Sequence, residues 1–285
     1  MDARTFLGLV RRDDDPLGWR LEVSQGISAG GQFLFGGCGL GAGIEVMEQA
    51  SGRPCVWASA QYLSYAPVGS IVDLDVTVAV AGHHMTQARC VGRVGAEEIF
   101  TVNAALGERP LEIKRVWSEA PDVPSPAASR PRELRPEMVD SVLGRLETRI
   151  AEGRQFFELD GKLGSGRSAM WCRLPDLLEP SAAALAVLGD FVPQGIGQAL
   201  GLAAGGNSLD NTLRVVRVVP SEWILVDVRI QAVDRGFGHG LAHLWAQNGS
   251  LLATASQSVI VRLWEDGRPS GRKRRGPPPS ADGGA

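Results

Sequence analysis

The residues of this chain that could do chemistry are few and scattered. Four cysteines, Cys38, Cys55, Cys90 and Cys172, sit among apolar or small residues without the CxxC spacing of a structural zinc site, so buried free thiols are expected. His239 and His243 lie four apart, which on a helix would suggest a metal pair. Their segment, Gly238 to Ala246, reads instead as a strand with both on one face. His83 and His84 follow Gly82 and read as a turn, no third ligand stands at a plausible spacing, and no metal is expected. The glycine runs Gly36 to Gly43 and Gly195 to Gly201 look superficially like nucleotide-binding loops. Neither follows a parallel strand or contains Gly-Lys-Ser/Thr, so close helix packing explains them better, and no cofactor is implied. Asp210 and Gln257 remain, an acid and an amide on two strand-like segments. Taken alone, Asp210 is a strand-edge acid paired with Arg214, which shares its face, and Gln257 is a polar residue of a half-exposed strand.

The elements that carry these residues occur twice. The first half has a Gly-rich approach, Gln32 to Gly41, into a helix over Ala42 to Ala50. Strands follow at Val56–Ala66, Ser70–Val80, Met85–Val94 and Ile99–Leu106, an antiparallel meander. In Ser70–Val80 the alternation is nearly perfect, with Val72, Leu74, Val76, Val78 and Val80 on one side. The second half begins with a strand over Ser168–Leu174 and an Ala-rich helix over Ser181–Leu188, then a second Gly-rich helix start, Phe191 to Leu200. Strands are expected at Leu209–Val218, Trp223–Ile230, Gly238–Ala246 and Leu251–Val261, the last hairpin turning at Asn248-Gly249. Pro67 matches Pro220, Leu74-Asp75-Val76 matches Val226-Asp227-Val228, and Asn103 matches Gln257, a repeat of about 152 to 154 residues. Duplication is the simplest explanation.

The domain plan is therefore a first half over 1–110, a linker with a helix over 111–153, a second half over 154–265 and a tail over 266–285. The proline-rich stretch Glu108 to Pro136 reads as an extended linker over the surface. Pro136 to Gly153 reads as helical, with Met138, Val142, Leu143, Leu146 and Ile150 on one face. The tail, with Arg272-Lys273-Arg274-Arg275 and three consecutive prolines, cannot bury enough apolar surface to fold and is expected to be disordered.

Composition narrows the class. With 285 residues, 44% hydrophobic and 21% charged, the chain is an ordinary globular protein. Its 36 glycines and 6% aromatics favour a turn-rich sheet protein over a bundle. A net charge of −3 argues against nucleic acid as a partner, because phosphate neutralisation needs a clustered cationic surface. No charged-then-apolar signal region opens the sequence, and no stretch approaches the roughly 20 apolar residues of a membrane helix. No membrane partner and a cytoplasmic location are expected.

The motifs then take on a pattern. Phe35-Gly36-Gly37 and Ala66-Pro67-Val68-Gly69 belong to the first half. The second half has Asn207-Ser208-Leu209-Asp210-Asn211, Arg217, Glu222-Trp223-Ile224-Leu225 and Thr254 to Arg262. In order and spacing these resemble the acyl-CoA thioesterase II family over about Gly31 to Arg262. The resemblance implies an α+β double hotdog, each half an antiparallel sheet wrapped around a central helix. It implies hydrolysis of an acyl-CoA substrate by a water that a strand aspartate and a glutamine orient, roles that fall on Asp210 and Gln257. The chemistry is sound, since hydrolysis needs a carboxylate to take the water's proton and a neutral partner to hold it. Backbone N–H groups near Gly197 and Gln198 are the candidates for stabilising the oxyanion, and Gly36, Gly37, Gly197 and Gln198 are the candidates for binding substrate. Where the family has a Ser or Thr hydroxyl, this chain reads Ile230-Gln231-Ala232-Val233-Asp234. Either Gln231 takes that role or activity is weaker. Arg214, where the family has a large aromatic, is expected to approach Asp210 and weaken it as a base. Two rivals are a binding protein of the same fold without turnover and a hotdog dehydratase. The dehydratase would need a histidine that Pro193 to Leu202 does not contain. Family analogy also suggests a homo-oligomer.

Overall fold

The computed structural model describes residues 1–265 apart from 31 and 178, and the backbone of 268 and 269. The tail expected to be disordered lies almost wholly outside these residues. In chain order the elements are α1 (Ala3–Leu7), β1 (Leu9–Arg11), β2 (Gly18–Glu22), β3 (Ser28–Ala29), β4 (Phe33–Leu34) and α2 (Gly36–Ser51). Next come β5 (Cys55–Tyr62), β6 (Ile71–Ala81), β7 (Met85–Val94), β8 (Glu97–Gly107), β9 (Arg130–Pro131), α3 (Val142–Arg145), β10 (Glu147–Glu152) and β11 (Arg167–Arg173). Then follow α4 (Ala182–Leu188), α5 (Val192–Leu200), β12 (Ala204–Ser208), β13 (Asp210–Val215), β14 (Ile224–Asp234), β15 (Phe237–Ala246) and β16 (Leu251–Glu265).

One long antiparallel sheet runs in the order β1-β2-β6-β7-β8-β5-β13-β16-β15-β14-β11-β10-β9, with β12 also pairing β16. The halves meet where β5 pairs β13, Ser59 opposite Thr212 with their hydroxyls 2.7 Å apart. Alternation makes each strand two-sided, as period-2 patterning requires. In β8 the buried Val102, Ala104 and Leu106 face α2, and in β16 Ala253, Ala255, Gln257 and Val259 face inward. Among the described residues no helix is long and apolar enough to cross a membrane.

Glycine lets α2 lie close to its surroundings. A Cβ on Gly43 would stand 2.7 Å from the Val102 side chain, and one on Gly41 3.0 Å from the Ala183 carbonyl of α4. The glycine runs therefore serve helix packing.

Most expected strands form within a few residues of their predicted limits, and Ser181 caps α4 by accepting from the Ala184 N–H. All four cysteines are buried free thiols. Three differences have physical causes. The helix expected over Pro136 to Gly153 is a 3-10 turn at Pro136–Met138, the single turn α3, and then strand β10. Leu146 and Ile150 fit both a helical and an alternating pattern, and the buried Thr148 between them fits only the alternating one. The edge of β11 decides, because β10 supplies its second row of partners. β1 and β2 were not expected at all, although β2 buries Trp19 and Leu21 against the first-half core. Finally, register corrects the repeat. Ser59 pairs Asn103 as Thr212 pairs Ser256, so Asn103 corresponds to Ser256 (256 − 103 = 153, the separation of Ser59 and Thr212), and Ala104 corresponds to Gln257.

Because Val102 is stiff and fully buried, Gly43→Val should lower stability by about 1–3 kcal/mol through overpacking. Chemical denaturation checks this, and an unchanged midpoint would contradict the packing just described.

Candidate functional site

Between α4 and α5 the chain breaks for three residues, Gly189-Asp190-Phe191. Asp190 is the one charged residue between Glu179 and Asp210. Its side chain turns into the interior, 6% exposed. There its Oδ1 accepts from Gln257 Nε2 at 2.5 Å, and its Oδ2 accepts from the Gly37 N–H at 2.6 Å, in the first turn of α2. Burial pushes its pKa up to about 6 against the opposing pull of those two hydrogen bonds.

Gln257, 3% exposed, is the hub. Its Nε2 donates a second hydrogen bond to Ser208 Oγ at 3.0 Å, and its Oε1 accepts from the Val192 N–H at the start of α5, 3.2 Å away. Each amide atom thus meets a partner of the right type, which fixes the orientation of the group. Gly36 and Gly37 meet the same carboxylate. A Cβ on Gly36 would stand 2.8 Å from Asp190 Oδ2, and one on Gly37 2.9 Å from Asp190 Cβ. The Tyr62 hydroxyl closes the group by donating to the Gly36 carbonyl at 2.8 Å. Burial, with the carboxylates of Asp190 and Asp210 nearby, raises its pKa well above the ordinary phenol value.

The sequence-based candidates divide. Gln257, Gly36 and Gly37 come together. Asp210 stays beside the group and does not bond Gln257; its Oδ1 accepts from the Ser258 N–H at 2.7 Å. The register explains this. Ser208 pairs Val259 and Thr212 pairs Ser256, so three residues on one strand oppose two on the other, and the Asp210 carboxylate takes an N–H inside that bulge. Arg214 is exposed and makes no ion pair with Asp210, contrary to expectation. Gln231 is exposed at a bulge of β14 and forms no part of the hydrogen-bonded group. The segment Ile230 to Asp234 has no hydroxyl, and the hydroxyl that bonds Gln257 is that of Ser208, on β12. Gly197 and Gln198 lie beyond the first turn of α5, where N–H groups serve the helix itself. Gly197 leaves room for the Ala204 carbonyl, and the Gln198 side chain bonds the Arg154 backbone at both ends.

Asp190, Ser208 and Tyr62 were missed. An acid just before a helix reads as a cap, which hid Asp190. Its isolation in an apolar stretch was the available signal. Of the histidines, His239 Nδ1 lies 3.3 Å from Ser258 Oγ on the exposed side of β15, while His243 is half-buried on the same face.

A helix wrapped by antiparallel strands, twice in one chain and joined edge to edge, defines a double hotdog of the α+β class. The carboxylate, amide and hydroxyl meet where the two halves join. A family model described as the acyl-CoA thioesterase C-terminal domain matches residues 118–261. A protein from Novosphingobium aromaticivorans assigned as a thioesterase is 35% identical, with 88% of this chain and 97% of that chain covered and a TM-score of 0.79. The fold is also similar to that of acyl-CoA thioesterase II TesB2 from Mycobacterium marinum (18% identity, 93% and 99% covered, TM-score 0.72). It is likewise similar to a hot dog fold protein from Alicyclobacillus acidocaldarius (17%, 92% and 98%, 0.77). No curated protein matches the sequence. The chain belongs to the acyl-CoA thioesterase family, and with it to the thioester hydrolases.

The raised pKa of Asp190 also acts on stability. Between its ordinary value near 4 and about 6, the folded chain holds a proton that the unfolded chain has released. This group's contribution is therefore lost as pH rises through that window, by up to about 3 kcal/mol. Asp190→Asn should flatten the stability profile between pH 4 and pH 7, read from denaturant midpoints at closely spaced pH values. Parallel profiles for the two proteins would rule this out.

Proposed function

We propose that this chain hydrolyses an acyl-CoA to free acid and CoA through a water activated by Asp190, with Gln257 and Ser208 holding the carboxylate and the water in line. The observation that carries the reading is the Gln257 amide, bonded at once to the Asp190 carboxylate and the Ser208 hydroxyl. A carboxylate with a pKa of about 6 is largely ionised at pH 7 and is a stronger base than an exposed one.

The water oxygen attacks the thioester carbonyl carbon while its proton passes to Asp190. The carbon–sulfur bond then breaks, and CoA leaves as a thiolate that recovers the proton. The Gly36 N–H belongs to the first turn of α2, has no acceptor within its helix, and stands beside Asp190, which suits it to the developing oxyanion. Tyr62 fixes the Gly36 peptide from the other side. No nucleophilic side chain is needed, and burial holds the nearby Cys38 thiol protonated. Asp210 has a positioning role, because its bond to the Ser258 N–H sets the bulge that brings Ser208 to Gln257. One observation that favoured a binder without turnover falls away, because Arg214 makes no ion pair with Asp210, and the hydroxyl that Ile230 to Asp234 lacks has a counterpart in Ser208, which bonds Gln257.

Thiol release from acyl-CoAs, acetyl to palmitoyl, tests the proposal. Asp190→Asn and Gln257→Ala should each lower kcat by at least about a hundredfold, and Ser208→Ala by about tenfold. Asp210→Asn should cost less than Asp190→Asn. The wild-type kcat/KM should rise with pH through about 6 as Asp190 ionises. Full activity in Asp190→Asn, or an Asp210→Asn defect exceeding it, would return the base to Asp210.

A further inference from the structure

The loop between β10 and β11 carries three large apolar side chains into solvent, Phe156 (43% exposed), Phe157 (64%) and Leu163 (79%). Leu202, just after α5, is 40% exposed. A loose loop would explain such exposure, but this one is pinned. Phe156–Glu158 is a 3-10 turn with a capping box, in which the Gln155 N–H donates to Glu158 Oε2 at 2.7 Å. The buried Gln155 amide donates to the Pro131 carbonyl at 2.8 Å and accepts from the Glu133 N–H at 3.0 Å. Beyond the turn, the Gly161 N–H donates to the Gly201 carbonyl and the Gly164 N–H to the Ala199 carbonyl, each at 2.8 Å. Both sides of Leu163 are thus tied to the end of α5.

These residues gather where β16 ends. The Arg135 guanidinium lies over both the Phe156 ring, 4.8 Å from its centroid, and the Trp264 ring, 5.6 Å away. The Trp264 N–H donates to the Ala203 carbonyl at 2.8 Å, next to Leu202. The acids of the loop are neutralised in place, Glu158 by Arg130 and Asp160 by Arg154 and Lys162. Residues 266–285, which continue from β16, carry Arg268, Arg272, Lys273, Arg274 and Arg275 against Asp266 and Asp282, a net +3 in a chain whose net charge is −3. They contain no Val, Leu, Ile, Met, Phe, Tyr or Trp, so they have nothing apolar with which to cover the exposed rings. A second copy of the chain on this face would bring like charge to like charge.

We propose that this face docks on an anionic lipid bilayer, with Phe157 and Leu163 entering the headgroup boundary and the basic run from Arg272 to Arg275 facing lipid phosphates. Neighbouring apolar side chains held in water on a folded protein mark a contact site. Stable attachment to a membrane surface takes two signals, and an apolar insertion beside a polybasic run supplies both. The lack of a spanning segment led to the expectation of no membrane partner, and a surface contact needs no such segment. No residue of this face belongs to the group around Asp190, so the proposal stands apart from the catalytic reading.

Flotation of the full chain with vesicles tests this, comparing phosphatidylcholine alone with phosphatidylcholine containing about one-quarter phosphatidylglycerol. The anionic vesicles should bind at least about tenfold more tightly than the neutral ones, and the difference should shrink as salt rises. Phe157→Ala with Leu163→Ala should weaken binding to the anionic vesicles by at least about tenfold. Arg272→Gln, Lys273→Gln, Arg274→Gln and Arg275→Gln combined should do the same. The two apolar side chains are exposed, so the denaturation midpoint should not move. Equal binding to both vesicle types, or no flotation with either, overturns the proposal. So does a dimer in sedimentation velocity that the Phe157 and Leu163 substitutions dissociate, which would make the face a contact between copies. Binding to soluble polyglutamate as tight as to anionic vesicles, and indifferent to those two substitutions, would point to an acidic protein instead and overturn it as well.

Discussion

The hydrogen bond from Gln257 to Asp190 is the constraint on which the rest of the site depends. A carboxylate buried to this degree is costly without partners, and Asp190 has two, the amide of β16 and a peptide N–H of α2. Gln257 in turn bonds the first peptide of α5 and the hydroxyl of Ser208. One acid thereby ties together the starts of both central helices and the last strand, and its displacement would leave several buried donors unmatched at once.

Its position follows from the duplication. Gly37 and Asp190 are separated by 153 residues, as are Ser59 and Thr212, and each pair is in hydrogen-bonding contact. Equivalent residues of two similar halves touch only at the axis that relates them. The Asp190 group therefore lies on that axis, where two acids would face each other as like charges and two side chains would collide. The second half has the acid and the first half a glycine, whose added Cβ would press on the Asp190 Cβ. Ala104 at the place matching Gln257 completes the asymmetry, leaving one group per chain.

Much of this fold was legible because strand alternation and Gly-rich helix starts are local signals. The β6 valines and the Asn248-Gly249 turn needed no knowledge of their partners. β10 was misread because Leu146 and Ile150 satisfy two periods, and only the neighbouring edge of β11 separates them. Of the site, Gln257, Gly36 and Gly37 were legible through the family motifs. Asp190 was not, because its partners come from residues 37 and 257, far along the chain, and its own neighbours look like a helix cap. Asp210 attracted attention by standing in the motif, yet its carboxylate serves a bulge, a feature of register that one strand cannot reveal.

The pairing of β5 with β13 has a further consequence. Separate half-sized subunits would meet along such an edge only above their dissociation constant, and their stability would depend on how concentrated they are. Here the covalent linker holds the two edges at an effective concentration that dilution does not change. The joint between the halves, and the acid at its centre, therefore form in a process that is first order in chain. A cell making few copies of this protein assembles the site as completely as one making many.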